Sequence, residues 1–404
     1  MSGITRVVLA ILLLAAAATA VQPVYRVAND VLYLPGDGLA LNAHTGHLMW
    51  RFPRLDGGHV YTNGQGLLLV SWTHVIHRPL EIHFTRVCRI EAQDGHRLWC
   101  RDWADVQQWT VDSGGRFCYL HIPGRLEVVA VADGQNDRGF KLDHYGDERD
   151  LQLLPLPQHG VLLFDPRGGG NQALALVYRP GAAALEAETL PAGIYPFRGD
   201  GRGLIFYAQD NGEFYRADPF TVLVTTPAPA LHQFPEVSLD ENGFLFTAWQ
   251  GSNPILHGGT YGGSLWDAPR PDPSPDTGLN PTLHLAVTST TAVMLAPQAA
   301  STRIAAWDLA SGSPRFARTL PGDYPEVGGL GDDLVLQSAT DVRLLNAADG
   351  AQRWRAPRHE GPLAAISTTA VVFWEGGGEL AALARNNGAL LWRLRFQLPR
   401  PGRP

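Results

Sequence analysis

The feature that most constrains this chain is a ten-residue phrase that recurs. NAHTGHLMWR at 42–51 returns as NAADGAQRWR at 346–355 and as ARNNGALLWR at 384–393. Aligned on the glycine, five copies emerge. Gly46, Gly95, Gly312, Gly350 and Gly388 are each followed four positions later by an aromatic residue: Trp50, Trp99, Phe316, Trp354 and Trp392. A short apolar run precedes each glycine, as in Leu39-Ala40-Leu41. The steps from Gly312 to Gly350 and from Gly350 to Gly388 are both 38 residues. A phrase repeated at such a period marks a repeated structural unit, and one unit cannot bury its own faces without stacked neighbours.

Each copy has a simple physical reading. A strand ends at a residue such as Asn42, Asp308 or Asn346, whose side chain can close a turn on the nearby backbone. The glycine supplies a positive φ. The next strand carries a large aromatic that buries area between neighbouring sheets. A weaker pattern precedes each copy: β-formers, a turn rich in Gly, Pro or Asp, then β-formers again. Such pairs begin near Val31, Leu67, Phe117, Val161, Leu204, Phe244, Ala292, Leu334 and Ala370, which makes nine pairs spaced 36 to 50 residues apart. In the middle third the signature decays; Val128 to Gly134 keeps the strand and the glycine but lacks the aromatic. The chain offers no long amphipathic helical pattern. Regularly spaced strands with a period of roughly 40–45 residues read as an all-β fold, a β-propeller of four-stranded blades. Eight blades are expected, within a range of seven to nine. The ninth pair is then either spurious or part of a blade shared by the two chain ends.

The copy at 40–51, A-L-N-A-x-T-G-x-x-x-W-R, resembles the PQQ-type (quinoprotein-like) propeller repeat, and those at 88–100, 342–355 and 380–393 are similar. Ile304 to Gly312 also looks like a WD-repeat strand, but the aromatic after each glycine favours the quinoprotein type. The resemblance implies two functions. One branch holds quinone- and calcium-dependent dehydrogenases, with PQQ and calcium at the mouth of the central channel. Its alcohol-dehydrogenase members commonly carry two adjacent cysteines, and no such pair occurs here. The other branch, BamB-like and non-enzymatic, consists of exported binding scaffolds. This chain is similar to it in length, repeat type and export pattern, and departs from it in lacking a lipid-anchoring cysteine at the expected mature start.

Residues 1–20 have the layout of a secretory signal peptide: Arg6, an apolar run from Val7 to Ala18, and the small-x-small site Ala18-Thr19-Ala20. The run is short of the roughly 20 apolar residues of a membrane span, and no later segment approaches that length. Residues 21–404 are expected to form one propeller domain, soluble in the periplasm or peripheral to the outer membrane. The net charge of −7 gives no basic face for nucleic acid. Cys88 and Cys100 flank a short hairpin. If its turn centres on Asp94 they oppose each other, and in the closer, non-hydrogen-bonded pairing they form a candidate disulfide. An oxidising compartment permits it. Cys118 is then left as a buried thiol.

Other local features read as scaffold. His74, His77 and His83 could ligate a metal, but their spacing matches no strong motif, and Pro79 suggests a long hairpin. Asp165 to Asn171 is glycine-rich without a P-loop lysine or a following helix. The acidic stretch from Asp143 to Asp150 lacks EF-hand spacing. Residues 258–281, rich in Gly, Pro and Asp, read as a long loop crossing one face. No catalytic, cofactor-binding or metal-ligating residue can be assigned. The expectation is a protein-binding scaffold of the cell envelope, with outer-membrane assembly components among its partners; the alternative is a PQQ/calcium-dependent dehydrogenase or other enzyme with its site at the channel mouth.

Overall fold

The computed structural model describes residues between Arg26 and Arg395, apart from internal segments of which the longer are 53–58, 143–150, 166–171, 226–235 and 270–282. The expected signal peptide and the acidic stretch 143–150 lie outside the described residues. Among the described residues thirty-six strands, numbered in chain order, form nine four-stranded sheets, each a meander of four consecutive strands. Sheet 1 shows the plan: β1 (Arg26–Ala28), β2 (Val31–Leu34), β3 (Leu39–Asn42) and β4 (Leu48–Arg51), all antiparallel. No helix among the described residues is long and apolar enough to cross a membrane.

The first strands of the sheets form the inner edge. They are β1, β5 (His59–Thr62), β9 (Gln108–Val111), β13 (Gln152–Pro155), β17 (Ile194–Arg198), β21 (Val237–Leu239), β25 (His284–Val287), β29 (Glu326–Leu330) and β33 (Leu363–Ile366). Most neighbours in this series pack together, and β1 also meets β33. The first sheet therefore adjoins the last, the arrangement of a β-propeller. Nine sheets stand where eight blades were expected. The nine strand pairs read from the sequence are the two central strands of the nine sheets, so none is spurious. Nor do the chain ends share a sheet, since each sheet is built from one continuous stretch.

Burial explains the sequence pattern. Central strands lie between neighbouring sheets and are covered on both faces: β14 (Val161–Asp165), β18 (Leu204–Ala208) and β30 (Asp333–Gln337) are buried at every position. They read as unbroken apolar runs. Outer strands alternate, because one face looks outward; β32 (Gln352–Pro357) follows an exposed–exposed–buried–exposed–buried–exposed order. The core consequently divides into clusters between sheets. Phe164 of sheet 4 packs on Phe206 of sheet 5, ring centroids 5.2 Å apart. Leu32 and Leu41 of sheet 1 join Val372, Ala382 and Trp392 of sheet 9 in one cluster.

The repeated phrase forms the hairpin between third and fourth strands. In sheet 1 Asn42 Oδ1 accepts the backbone N–H groups of His44 and Thr45 at 3.0 and 2.8 Å, and Gly46 N donates to Asn42 O at 2.8 Å. The register slips by one residue at Ala40/Leu41, and again at Ala306/Trp307, Leu344/Leu345 and Ala382/Leu383, so the copies share a β-bulge.

Candidate functional site

The repeat residues come together between sheets rather than within them. Each aromatic lies over the glycine of the next copy. A Cβ placed on Gly95 would sit 2.6 Å from the Trp50 indole; Trp99 crowds Gly134, Phe316 crowds Gly350, Trp354 crowds Gly388, and Trp392 crowds Gly46. Glycine is needed here twice over, since Gly46, Gly95, Gly312, Gly350 and Gly388 also have φ between +68° and +75°. The indole N–H completes the link by donating to the carbonyl three residues before the covered glycine. Trp50 donates to Ala92, Trp99 to Val131, Trp354 to Arg385 and Trp392 to Ala43, at 2.8–3.0 Å.

Gly134, which seemed to lack an aromatic, is covered by Trp99 of the preceding sheet. Sheet 3 carries Arg138 where its own aromatic would stand, and that guanidinium donates to Ala182 O of the next sheet at 2.7 Å. Gly312 is covered by Trp266, whose indole donates to Leu309 O at 2.8 Å. Trp266 falls in the stretch read from sequence as a loop. Its described part is instead the end of β23 (Asn253–Thr260), a turn, and β24 (Trp266–Pro269), with Gly262 and 270–281 outside the description. The signal was present: Trp266 stands four positions after Gly262, as the repeat requires.

Cys88 and Cys100 are direct partners in β7 (Glu81–Glu91) and β8 (Arg97–Ala104) and form a disulfide with Cα atoms 4.1 Å apart. Cys118 is a buried free thiol, its pKa pushed up by burial. His74, His77 and His83 stand in the hairpin of β6 (Leu67–His77) with β7; His74 pairs with Phe84, His83 with Val75 and His77 with Glu81. Among the described residues no three His, Cys, Asp or Glu side chains gather closely enough to hold a metal ion.

In a four-stranded meander the turns after the first and third strands lie at one end, and the turn after the second strand lies with the crossover to the next sheet at the other. The two faces of this propeller differ accordingly. The first carries the glycine turns and further inter-sheet bonds: Asp30 accepts from Thr368 Oγ1, and from Thr369 N at 3.2 Å, and Asp332 accepts from Thr290 Oγ1 at 3.2 Å. Several of its polar groups tie neighbouring sheets together.

The opposite face carries a cavity of about 520 Å³ where the innermost strands of sheets 6 to 9 begin. Val237, Leu285, Val327 and Leu363, one from each inner strand, line it together with Leu283, though most of the surface it exposes is polar; Pro325 and Pro362 stand exposed at the rim. Among the described residues its polar side chains are Glu236 and His284. Glu236 Oε1 accepts the Leu283 N–H at 2.9 Å and so ties sheet 6 to sheet 7. Burial lowers the pKa of His284 against the opposing pull of Asp323, which leaves the imidazole neutral at neutral pH. The central hairpins end on this same face, and in sheet 6 the hairpin strand is tied to the cavity wall by Thr247, which accepts the Glu236 N–H at 3.2 Å. Sequence inspection could not find this site, because its residues come from four crossovers and carry no shared motif.

Fold and repeat define a β-propeller of PQQ-type units. Residues 259–403 match the family model described as outer membrane protein assembly factor BamB. That segment holds the last three sheets and three of the five clear repeat copies. No curated protein matches the chain. Among solved structures, a eukaryotic initiation factor aligns with a TM-score of 0.51 at 9% identity, covering 85% of this chain and 92% of that one. The dihydro-heme d1 dehydrogenase NirN, in complex with DHE, aligns at 0.49 and 14% identity, covering 93% and 76%. BamB from Moraxella catarrhalis aligns at 0.34 and 13% identity, covering 80% and 90%. At such identities structural likeness speaks to fold alone.

Proposed function

We propose that this protein is an exported, nine-bladed propeller that acts as a protein-binding scaffold in the bacterial cell envelope. In this reading residues 1–20 are a signal peptide and 21–404 one domain, periplasmic or peripheral to the outer membrane. The observation that carries it is the match of residues 259–403 to the BamB family model, because that segment also supplies most of the cavity wall. The working face is the one with the cavity and central hairpins; the glycine-turn face is spent on inter-sheet bonds. Recognition rests on shape and a few buried anchors rather than on bond chemistry.

Crosslinking in intact cells tests this reading. A photo-reactive residue at Pro325 or Pro362 should capture a defined set of envelope proteins, and one at Leu48 or Leu390, exposed on the glycine-turn side, should capture few. Recovery of no envelope protein from either face would sink the scaffold reading. It would turn attention to an enzyme with its site at the channel mouth.

A further inference from the structure

Several arginines of this protein spend their donors on the next sheet. Arg385 gives Nε to Asp333 at 2.6 Å, Nη1 to Ser367 O and Nη2 to Leu330 O, so its whole guanidinium is used at the junction of sheets 8 and 9. Arg343 and Arg355 differ. They are direct cross-strand partners in β31 (Asp341–Asn346) and β32. Both turn to one oxygen, Asp341 Oδ2, Arg343 through Nη2 at 3.1 Å and Arg355 through Nε at 2.5 Å. The other oxygen accepts the Tyr324 hydroxyl at 2.7 Å and the Ser338 hydroxyl at 2.9 Å. Burial pushes the Asp341 pKa up, but the bonds from Tyr324, Arg343 and Ser338 outweigh it and hold the value below the usual one. The carboxylate is therefore ionised at neutral pH, and one negative charge faces two guanidiniums that do not deprotonate. Among the described residues Arg343 Nη1 and both Nη atoms of Arg355 have no hydrogen-bond partner. The Arg343 side chain is only 8% exposed and is held against the Tyr324 ring, whereas that of Arg355 is 57% exposed. The pair thus joins a fixed, buried cation to an outer one within reach of solvent. Exposed Arg358 adds a third positive charge beside the Ser338–Asp341 turn, where its N–H donates to Thr340 O at 3.0 Å. The acid on the adjoining crossover, Asp323, faces His284 of the innermost strand.

We propose that Arg343 and Arg355 form an anion site at the outer edge of sheet 8, on the face that carries the cavity, and that it takes a phosphate group presented by a lipid headgroup or by a free solute. The phosphate oxygens accept from Arg343 Nη1 and the two Nη atoms of Arg355, while Asp341 holds both guanidiniums in place from behind. Phosphate suits donors that arrive from two strands, since its several oxygens can accept from both forks, whereas one fork already fills the plane of a carboxylate. The inference goes beyond the scaffold reading and stands without it.

The test titrates the full mature chain into inorganic phosphate, followed by phosphorus NMR, with sodium chloride holding the ionic strength constant so that screening does not vary. In parallel the protein is sedimented with vesicles of phosphatidylglycerol, and with phosphatidylcholine as the zwitterionic control. The phosphate resonance should shift saturably in the millimolar range. Arg355→Gln, at an exposed position, should weaken binding about ten-fold, the loss expected of charge-assisted hydrogen bonds. Arg353→Gln removes the same charge from the same strand, but this arginine pairs with Asp333 instead, so it should leave binding unchanged. Cosedimentation with phosphatidylglycerol that Arg355→Gln abolishes would assign the phosphate to a lipid headgroup; saturable phosphate binding without it would assign a soluble ligand. No saturable shift together with no vesicle binding would overturn the proposal. So would binding that Arg355→Gln does not weaken, or equal losses in the two variants, which would reduce the effect to net charge. Envelope crosslinks from Pro325 and Pro362 are read separately, so failure of this site and failure of the scaffold reading are told apart.

Discussion

The indole of Trp392 lies over Gly46 and donates its N–H to Ala43 O at 2.9 Å, so the last sheet is fastened to the first by the same contact that joins sheets along the chain. Many closed propellers borrow a strand from the other terminus; here no strand is exchanged among the described residues. Closure rests instead on this aromatic, the Leu32–Val372 cluster around it, and the Thr368 and Thr369 bonds to Asp30.

Trp392→Ala should therefore destabilise the protein by about 3–5 kcal/mol, the usual cost of truncating a buried large aromatic. Trp392→Phe keeps a ring over Gly46 and loses the hydrogen bond, for about 1 kcal/mol. Urea unfolding of both variants checks the order. Near-wild-type midpoints for Trp392→Ala would remove this residue from the closure.

Two glycines with positive φ separate conformational strain from crowding. Gly46 has φ +69° with Trp392 2.8 Å from a would-be Cβ, whereas Gly181 has φ +90° with nothing within 4 Å. Gly181→Ala should cost only the left-handed strain, about 1–2 kcal/mol. Gly46→Ala carries a similar strain and also displaces the indole, so it should cost clearly more. Equal losses in thermal unfolding would show that the aromatic contact contributes nothing.

The cysteines give a chemical count. Native protein should resist alkylation, because Cys118 is buried and Cys88 is bonded to Cys100. Unfolded without reductant, it should take up label at Cys118 alone; with reductant, at all of Cys88, Cys100 and Cys118. Removing the bond by Cys88→Ser with Cys100→Ser should cost about 3 kcal/mol, the scale for closing a loop of roughly 15 residues. Mass spectrometry after each treatment gives the count directly.

Asp308 is one of several local sources of acid sensitivity, beside Asp30, Asp341 and Glu375, whose pKa values are also lowered. Asp308 is held at about 2 by the Arg315 guanidinium and then by Ser311, which donates from both its N–H and its hydroxyl. The folded value lies below the ordinary aspartate value of 3.8, so on acidification the unfolded chain takes up the proton first. The stabilisation is whole above about pH 4 and is lost as the pH falls toward 2. The Asp308 and Arg315 side chains are 32% and 20% exposed, so solvent screening limits the contribution to about 1 kcal/mol. Arg315→Gln should flatten the stability profile across that window, measured by urea midpoints from pH 2 to 5. An unchanged slope would mean the pair does not couple to folding.

The repeat was legible because its physics is local. A positive-φ glycine and an aromatic at fixed spacing survive in the sequence wherever the turn survives, and the central strands announce themselves by apolar runs. What sequence reading missed was relational. Trp50 answers to Gly95 rather than Gly46, and the copy Val128 to Gly134, which does lack its own aromatic, still has its glycine covered by Trp99 of the copy before. Trp266 was lost in a glycine- and proline-rich stretch although it obeys the spacing rule. The expectation of eight blades set aside the direct count of nine strand pairs, which matches the nine sheets among the described residues. The cavity was out of reach, since Glu236, Leu285, Val327 and Leu363 meet only when four sheets stand side by side.

Phe316 offers a prediction in the stabilising direction. It is the one clear copy with a phenyl ring instead of an indole, and it covers Gly350 as the tryptophans cover theirs. The other sheets add a hydrogen bond from the indole N–H to the carbonyl three residues before the glycine; here that carbonyl belongs to Ala347. A phenyl ring has no donor, and the nearest substitute is Arg318, which donates to Asp349 O at 3.1 Å instead. Phe316 is only partly buried at the edge of its cluster, so a larger ring has room to extend outward. Phe316→Trp should add about 0.5–1.5 kcal/mol, the net value of one hydrogen bond, and raise the urea midpoint without changing the slope. Phe316→Leu, which loses the flat ring over Gly350, should lower it. A midpoint that falls in both variants would mean that the sheet 7–8 junction is packed for a phenyl ring, and that the indole hydrogen bond is not what holds neighbouring sheets together.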